Sequence, residues 1–179
     1  LTVDLLAVPR AVHLSKREAD VVVSLTRPQR GPYVVTKLCD YELHLYASCS
    51  YLAAHAPIRS RDDLAGHAYI GYVDELLFSD ELHFLGELYR PASYALRSTS
   101  VTAQLHATVA GAGIAILPGF LAQGQPQLTR ILPKLAQFTR SFWMSMPAEN
   151  KSVPRIAAVW RYLKQDVAHD AQNQDRHPS

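Results

Sequence analysis

The chain has no long hydrophobic run and only two cysteines, Cys39 and Cys49. Its apolar stretches are much shorter than the roughly 20 residues that a membrane-spanning helix needs. The cysteines lack CxxC spacing, so we expect reduced thiols, although the spacing also permits a disulfide. Residues 1–7 already have the pattern of a strand, which predicts no signal peptide and a cytoplasmic protein.

The chain also lacks a strong charge of either sign. It has 18 basic and 16 acidic residues, giving a net charge of +2, and the basic residues are scattered. A stand-alone nucleic-acid-binding domain would show a basic patch or stripe, so we expect no direct DNA contact from this chain. With 48% hydrophobic and 19% charged residues, the 179 residues are typical of a globular protein of one domain or two small lobes.

No catalytic or metal-binding motif is present. The eight histidines have no HExxH spacing, and His83 with Glu87, one helical turn apart in an acidic run, indicates a solvated helix face. There is no GxSxG motif or P-loop. Gly111-Ala-Gly113 follows a predicted helix and precedes a strand, the reverse of a dinucleotide-binding turn. We therefore predict no enzyme activity, no metal and no cofactor.

The most informative stretch is residues 97–118. Three hydroxyl residues precede a predicted helix whose N-cap is Ser100. The apolar residues of that helix recur at a four-residue step, at Val101, Leu105, Val109 and Ala112. Gly111 and Gly113 are expected to end it with positive φ, before a buried strand at 114–117. The unpaired amides and the dipole at a helix start favour an anion. The stretch therefore indicates either an anion site or an ordinary capped helix.

The remaining patterns predict alternating strands and helices. Residues 1–7 and 21–25 read as strands around a short helix at 11–18 that carries Val12 and Leu14 inward. Such a unit implies a parallel pair with a right-handed crossover, its second strand buried on both faces. Strands are also predicted at 34–38 and 42–47, and an amphipathic helix at 153–167 precedes a frayed polar tail.

Six segments in this order resemble the effector-binding domain of LysR-type transcriptional regulators. They are Leu14-Ser-Lys-Arg-Glu-Ala-Asp-Val-Val-Val23, Leu45-Tyr-Ala-Ser48 with Tyr51-Leu-Ala-Ala54, Asp63-Leu-Ala-Gly-His67, Ser98-Thr-Ser100, Gly111-Ala-Gly-Ile-Ala-Ile-Leu-Pro118, and Phe142-Trp143 with the helix of Arg155 to Leu163. The resemblance covers about residues 1 to 165.

The resemblance implies an α/β fold of the two-lobed type 2 periplasmic-binding-protein kind, with lobes joined by two crossing strands. Carried onto this chain, lobe I is residues 1–48 with 147–179, and lobe II is residues 49–146. Family members carry an N-terminal winged helix-turn-helix that binds DNA. That domain, and the first strand and helix of lobe I, are absent here, so we expect the chain to be part of a longer polypeptide.

The resemblance also implies a sensor function. A small metabolite, a carboxylate or an aromatic acid, is expected to bind between the lobes and alter DNA binding by the missing N-terminal domain. The protein is expected to form a homodimer or homotetramer without membrane contact. The residues expected at the effector site are Ser98, Thr99, Ser100, Ser48, Pro9, Arg10, Tyr72, Val73, Phe142 and Pro147.

Two other functions share this kind of fold. A solute-binding protein of a transport system would need an export signal, and an enzyme would need a catalytic constellation. Fold alone does not decide between these functions. The upstream coding sequence separates them, since a helix-turn-helix indicates the regulator and a signal peptide indicates the transporter component.

Overall fold

The computed structural model describes residues 1–8, 10, 14, 18–82, 88–91 and 93–174, with side chains described as far as residue 167. In this part of the chain the strands are β1 (Val22–Ser24), β2 (Tyr33–Ser48), β3 (Tyr69–Gly71), β4 (Tyr94–Arg97), β5 (Ile114–Pro118), β6 (Leu128–Ile131) and β7 (Gln137–Pro147). The α-helices are α1 (Cys49–Ala54), α2 (Val101–Val109), α3 (Gly119–Ala122) and α4 (Pro154–Gln174), and short 3-10 turns connect several of these elements.

The chain divides into two compact units. Unit 1 is Leu1–Asp40 with Ser141–Ser179, and unit 2 is Tyr41–Arg140. The division falls inside β2 and β7, whereas our sequence prediction placed it at the C-terminal ends of these two strands. The strands predicted at 34–38 and 42–47 are one continuous strand, β2, that runs from one unit into the other.

In unit 1, β1 pairs with β7 in antiparallel orientation, with Val22 opposite Ser145 and Ser24 opposite Trp143. Residues 1–8 form no strand, so the predicted parallel βαβ unit is wrong. An apolar segment forms a strand only where a neighbouring strand supplies hydrogen-bond partners. Here β1 pairs with β7 and not with residues 1–8. Val23 is exposed, so β1 is not buried on both faces.

Two further predictions concern the ends of unit 1. The helix predicted at 11–18 lies largely outside the described residues, although Leu14 is buried as expected. Helix α4 confirms the amphipathic pattern, with Ile156 buried and Arg155 exposed, and it extends to Gln174 beyond the predicted start of the tail. None of the helices in the described part of the chain is both long and apolar enough to cross a membrane.

Unit 2 is built on a mixed sheet with the strand order β6-β2-β5-β3-β4. Strand β2 is antiparallel to β5 and β6, whereas β3 is parallel to both β4 and β5. Every residue of β5 is buried, which confirms the predicted interior strand. The core cluster beneath α2 contains Tyr46, Ile70, Leu105 and Leu117, so the helix covers one face of the sheet.

Helix α2 confirms two of the local predictions and corrects a third. Ser100 is its N-cap, with Oγ accepting a hydrogen bond from the Ala103 N–H (3.3 Å), and Gly111 follows it with φ +80°. Gly113 does not take positive φ. Its small size is needed because a Cβ there would lie 2.5 Å from the Ala68 carbonyl oxygen, to which the Ile114 N–H donates.

A group of aromatic rings holds His67 just before β3. Tyr51 Oη accepts a hydrogen bond from the Ala68 N–H (3.0 Å) and lies 3.2 Å from His67 Nδ1. The His55 ring stacks on the Tyr51 ring at a centroid distance of 3.9 Å. Burial, and then the charge of His55, lower the pKa of His67, so His67 is neutral at pH 7.

We expect Gly113→Ala to lower the free energy of unfolding by about 1–3 kcal/mol, because the new methyl group collides with the Ala68 carbonyl. Urea denaturation of the chain measures the effect. Gly124→Ala is the matched control, since a Cβ at Gly124 meets nothing within 4 Å. Equal stabilities of the two variants would show that β3 and β5 can move apart without cost.

We also expect stability to fall in acid through His67. Its folded-state pKa is lowered, so the unfolded chain binds the proton first as the pH drops below about 6.5. This contribution is complete above about pH 6.5 and is lost below it, until the folded histidine also protonates. Unfolding free energies between about pH 7.5 and 5 should therefore fall less steeply in His67→Gln than in wild type.

A matched control for this pH series is His106→Gln, because His106 is exposed on α2. Burial, and then the charge of Arg130, also lower the pKa of His44, so part of the slope remains in His67→Gln. A His67→Gln slope equal to that of wild type would contradict the assignment.

Candidate functional site

The parallel pairing of β3 with β4 brings the ends of these strands to one edge of the sheet in unit 2. Gly71 pairs with Arg97, and the Ser98 N–H donates a hydrogen bond to the Gly71 carbonyl (2.9 Å). The residues that follow the two strands therefore meet. We call this surface the serine edge, and it consists of Tyr72, Val73, Ser98, Thr99 and Ser100.

The serine hydroxyls at this edge are oriented by main-chain hydrogen bonds. Ser98 Oγ accepts from the Ser100 N–H (3.1 Å), and Ser100 Oγ accepts from the Ala103 N–H (3.3 Å). Each hydroxyl keeps its own hydrogen as a donor. Together with the amides of the first turn of α2, these donors suit an acceptor such as a carboxylate oxygen.

Gln104 supports the serine edge from below, and our reading of the sequence missed it. Its side chain is 1% exposed, and its Nε2 donates to the Ser98 carbonyl (2.8 Å). The main-chain carbonyl of Gln104 accepts a hydrogen bond from Thr108 Oγ1 (2.7 Å), and Thr108 is also buried. The helical period could have found both residues, because Gln104 and Thr108 lie three and seven positions after Val101 and so share its covered face of α2. Ala112, the last residue of the predicted apolar ladder, is exposed.

The charges near the serine edge are exposed and weakly held. Arg97 Nη1 lies 3.8 Å from Glu75 Oε2, and its guanidinium lies over the Tyr94 ring at 5.7 Å. An exposed pair of this kind contributes about 0–1 kcal/mol, so Arg97 can exchange Glu75 for another carboxylate. Burial raises the pKa of Tyr72 to about 12, which keeps its hydroxyl protonated at pH 7.

The structure does not bring Ser48 to the serine edge. Strand β2 is antiparallel to β5, and β5 is parallel to β3. The C-terminal end of β2 therefore lies at the same edge of the sheet as the N-terminal end of β3. Ser48 therefore lies at the opposite edge of the sheet. Its Oγ accepts from the Tyr51 N–H (3.2 Å) and contacts Ser50 Oγ (3.0 Å), which makes it the N-cap of α1.

Four predicted site residues belong to the other unit or lie outside the described chain. Phe142 and Pro147 are half-buried residues of β7 in unit 1. Arg10 is exposed and forms an ion pair with Glu18 at 2.9 Å. Pro9 lies outside the described residues. A common site for these residues stays a prediction.

The thiols and the titratable groups show no metal site in the described part of the chain. Both cysteines are free; Cys49 is exposed, and burial raises the pKa of Cys39. No three His, Cys, Asp or Glu residues of the described ranges are placed to hold a metal ion. His83 and Glu87 fall outside those ranges.

Comparison with protein families matches residues 1–168 to the LysR substrate binding domain. No curated protein matches the chain. Among solved structures, it is similar to the regulatory domain of CrgA, a LysR-type transcriptional regulator from Neisseria meningitidis. That match has a TM-score of 0.72 and 19% identity, and it covers 86% of this chain and 78% of the CrgA domain.

Two further structures give the same fold. The structure of CrgA itself matches with a TM-score of 0.70 and 21% identity, over 86% of this chain but only 54% of that one. The effector domain of AmpR from Pseudomonas aeruginosa matches with a TM-score of 0.68 and 15% identity, over 93% of this chain and 81% of that domain. The predicted two-lobed, periplasmic-binding-protein-like α/β fold is therefore confirmed.

We expect Gln104→Leu to lower the free energy of unfolding by about 1–3 kcal/mol, because the Ser98 carbonyl loses its side-chain donor. Urea denaturation measures this loss. Gln123→Leu, at an exposed position, is the matched control and should change stability by less than about 0.5 kcal/mol. If both variants unfold at the same urea concentration, Gln104 does not support the edge.

Proposed function

Because the chain belongs to the LysR substrate-binding domain family, we propose that it senses a small carboxylate or aromatic acid for a transcriptional regulator. The family is a regulatory, effector-binding domain of transcription factors and not an enzyme family. Under this proposal, the effector's acidic group binds the serine edge of unit 2. The DNA contact is made by a separate N-terminal domain, and the protein acts in the cytoplasm as a homodimer or homotetramer.

The observation that carries the proposal is the pair of oriented hydroxyls at Ser98 and Ser100. Each uses its oxygen to accept a main-chain N–H and has its hydrogen left to donate. A donor-rich surface at a helix start selects for acceptors and against cations. Arg97, whose ion pair with Glu75 is long and exposed, adds a positive charge for the same carboxylate.

The signal follows from differential binding. An effector shifts the equilibrium between two arrangements of the regulator only by as much as its affinities for the two arrangements differ. Donors at the serine edge that are fixed by Gly71, Gln104 and the first turn of α2 provide a surface of defined geometry. The match covers 54% of the CrgA chain, so nearly half of that regulator lies outside the part that resembles this chain.

The test is a thermal-shift screen of the chain against aliphatic and aromatic carboxylates. A ligand at a hundredfold excess over its Kd stabilises the folded state by about 2.7 kcal/mol. The decisive variant is Ser100→Asp. Aspartate caps a helix as well as serine does and favours its positive end, so stability should be retained, while its charge repels a carboxylate and should abolish the thermal shift.

Ser152→Asp adds the same charge at an exposed position of unit 1 and should leave the shift unchanged. Ser98→Ala should weaken binding by about tenfold, since one hydrogen bond to a charged group is lost. Shifts that persist in Ser100→Asp would remove the effector from the serine edge. If no carboxylate in a broad panel binds the wild-type chain, the proposed effector class is wrong.

A further inference from the structure

A second concave surface of unit 2 lies beside β6 and is not explained by the proposed effector site. It is a groove of about 380 Å³, within the range of about 300–1,000 Å³ that small-molecule sites occupy. The apolar side chains Leu52, Ile58, Ile131 and Leu132 line it together with Arg59 and Arg130. We call it the Arg59–Arg130 groove.

The two arginines give this groove a positive charge. None of its lining residues is acidic, and neither arginine forms an ion pair with any described residue. Asp63 accepts hydrogen bonds from the main-chain N–H groups of Arg59 and Ser60 (2.9 and 2.8 Å), and these bonds, followed by the charge of Arg59, lower its pKa without an ion pair to the guanidinium. Arginine presents a planar fork of donors that matches a carboxylate.

The walls of the groove are held by the main chain. Ile131 pairs with Leu45 in the sheet, and the Cys49 N–H donates to the Gln127 carbonyl (2.8 Å) at the start of β6. Beyond β6, the Leu132 carbonyl accepts from the N–H groups of Leu135 (2.9 Å) and Ala136 (3.0 Å). A site whose backbone is already fixed loses little conformational entropy when a ligand binds.

Leu132 adds a second unusual feature to the groove. Its φ is +46°, the only positive φ of a residue other than glycine in the described ranges. A left-handed conformation is unfavourable for a residue with a Cβ, and residues held in it cluster at binding sites. The turn after β6 therefore keeps a strained backbone where a glycine would remove the strain.

The groove and the serine edge lie on different parts of the same sheet. Strand β6 borders β2 at one side of the order β6-β2-β5-β3-β4, whereas the serine edge follows β3 and β4 at the other. The two surfaces share no residue. A ligand in the groove therefore does not occupy the proposed effector site.

We propose that the Arg59–Arg130 groove is a second binding site, for a small carboxylate with an apolar aliphatic or aromatic body. The guanidinium groups bind the carboxylate, and the body of the ligand covers Ile131 and Leu132. The apolar walls distinguish this ligand from inorganic anions, which would gain only the charge. The charge distinguishes it from neutral hydrocarbons, which would leave both arginines without a partner.

The experiment is a calorimetric titration of the chain with benzoate and with hexanoate at low salt. Ser100→Asp serves as the background, so that binding at the serine edge is removed and the two proposals are tested separately. In that background we expect binding to remain, and Arg130→Gln or Arg59→Gln to weaken it by about tenfold or more. Both arginines are exposed, so these variants should fold, which circular dichroism checks. Arg90→Gln, another exposed arginine of unit 2, should have no effect.

A third variant tests the apolar wall without changing the charge. Ile58→Trp fills the groove and should abolish binding of both carboxylates, and inorganic phosphate should not bind the wild-type groove at the same concentrations. Carboxylate binding that is unchanged in all three groove variants overturns the proposal. It is also overturned if neither carboxylate binds. If Arg130→Gln then lowers the mass in sedimentation, the groove is an interface between copies of the chain.

Discussion

The parallel register of β3 with its two neighbours is the constraint on which unit 2 depends. At one end of β3, the Ala68 carbonyl accepts the Ile114 N–H, and only glycine fits at position 113 between them. At the other end, the Gly71 carbonyl accepts the Ser98 N–H. These two bonds fix where β5 begins and where β4 ends. They consequently fix the start of α2 and the position of every donor at the serine edge.

The polar residues beneath α2 connect this register to the chemistry of the surface. Gln104 is buried where the helical pattern would place an apolar side chain, and its amide holds the Ser98 carbonyl. A buried amide needs a partner, so the helix and the loop before it cannot shift independently without leaving polar groups unsatisfied. In the effector site that we propose, helix capping and ligand recognition use the same serine side chains, because the oxygen accepts a main-chain N–H and the hydrogen donates to the ligand.

Local patterns in the sequence predicted local structure, and they failed where pairing across the sheet decides the outcome. The hydroxyl residues before α2, the positive φ of Gly111 and the buried β5 follow from nearest neighbours, and they are present. Ser48 was recognisable as a strand end and a helix cap, but its edge of the sheet depends on the antiparallel pairing of β2 with β5. Residues 1–7 have a strand pattern without a strand because no pattern within them specifies a partner.

The pairing of β2 also determines when unit 2 can form during synthesis. Its partners β5 and β6 lie at residues 114–118 and 128–131, so Leu43 meets Pro118 only after 75 more residues have been added. At about 5–20 residues per second, translation needs roughly 4–15 s for that interval. During it the buried residues of β2, including Leu45 and Tyr46, have no sheet to join. Non-local pairing folds slowly and leaves apolar strands exposed, so the apolar residues of β2 stay open to aggregation until β6 has been made.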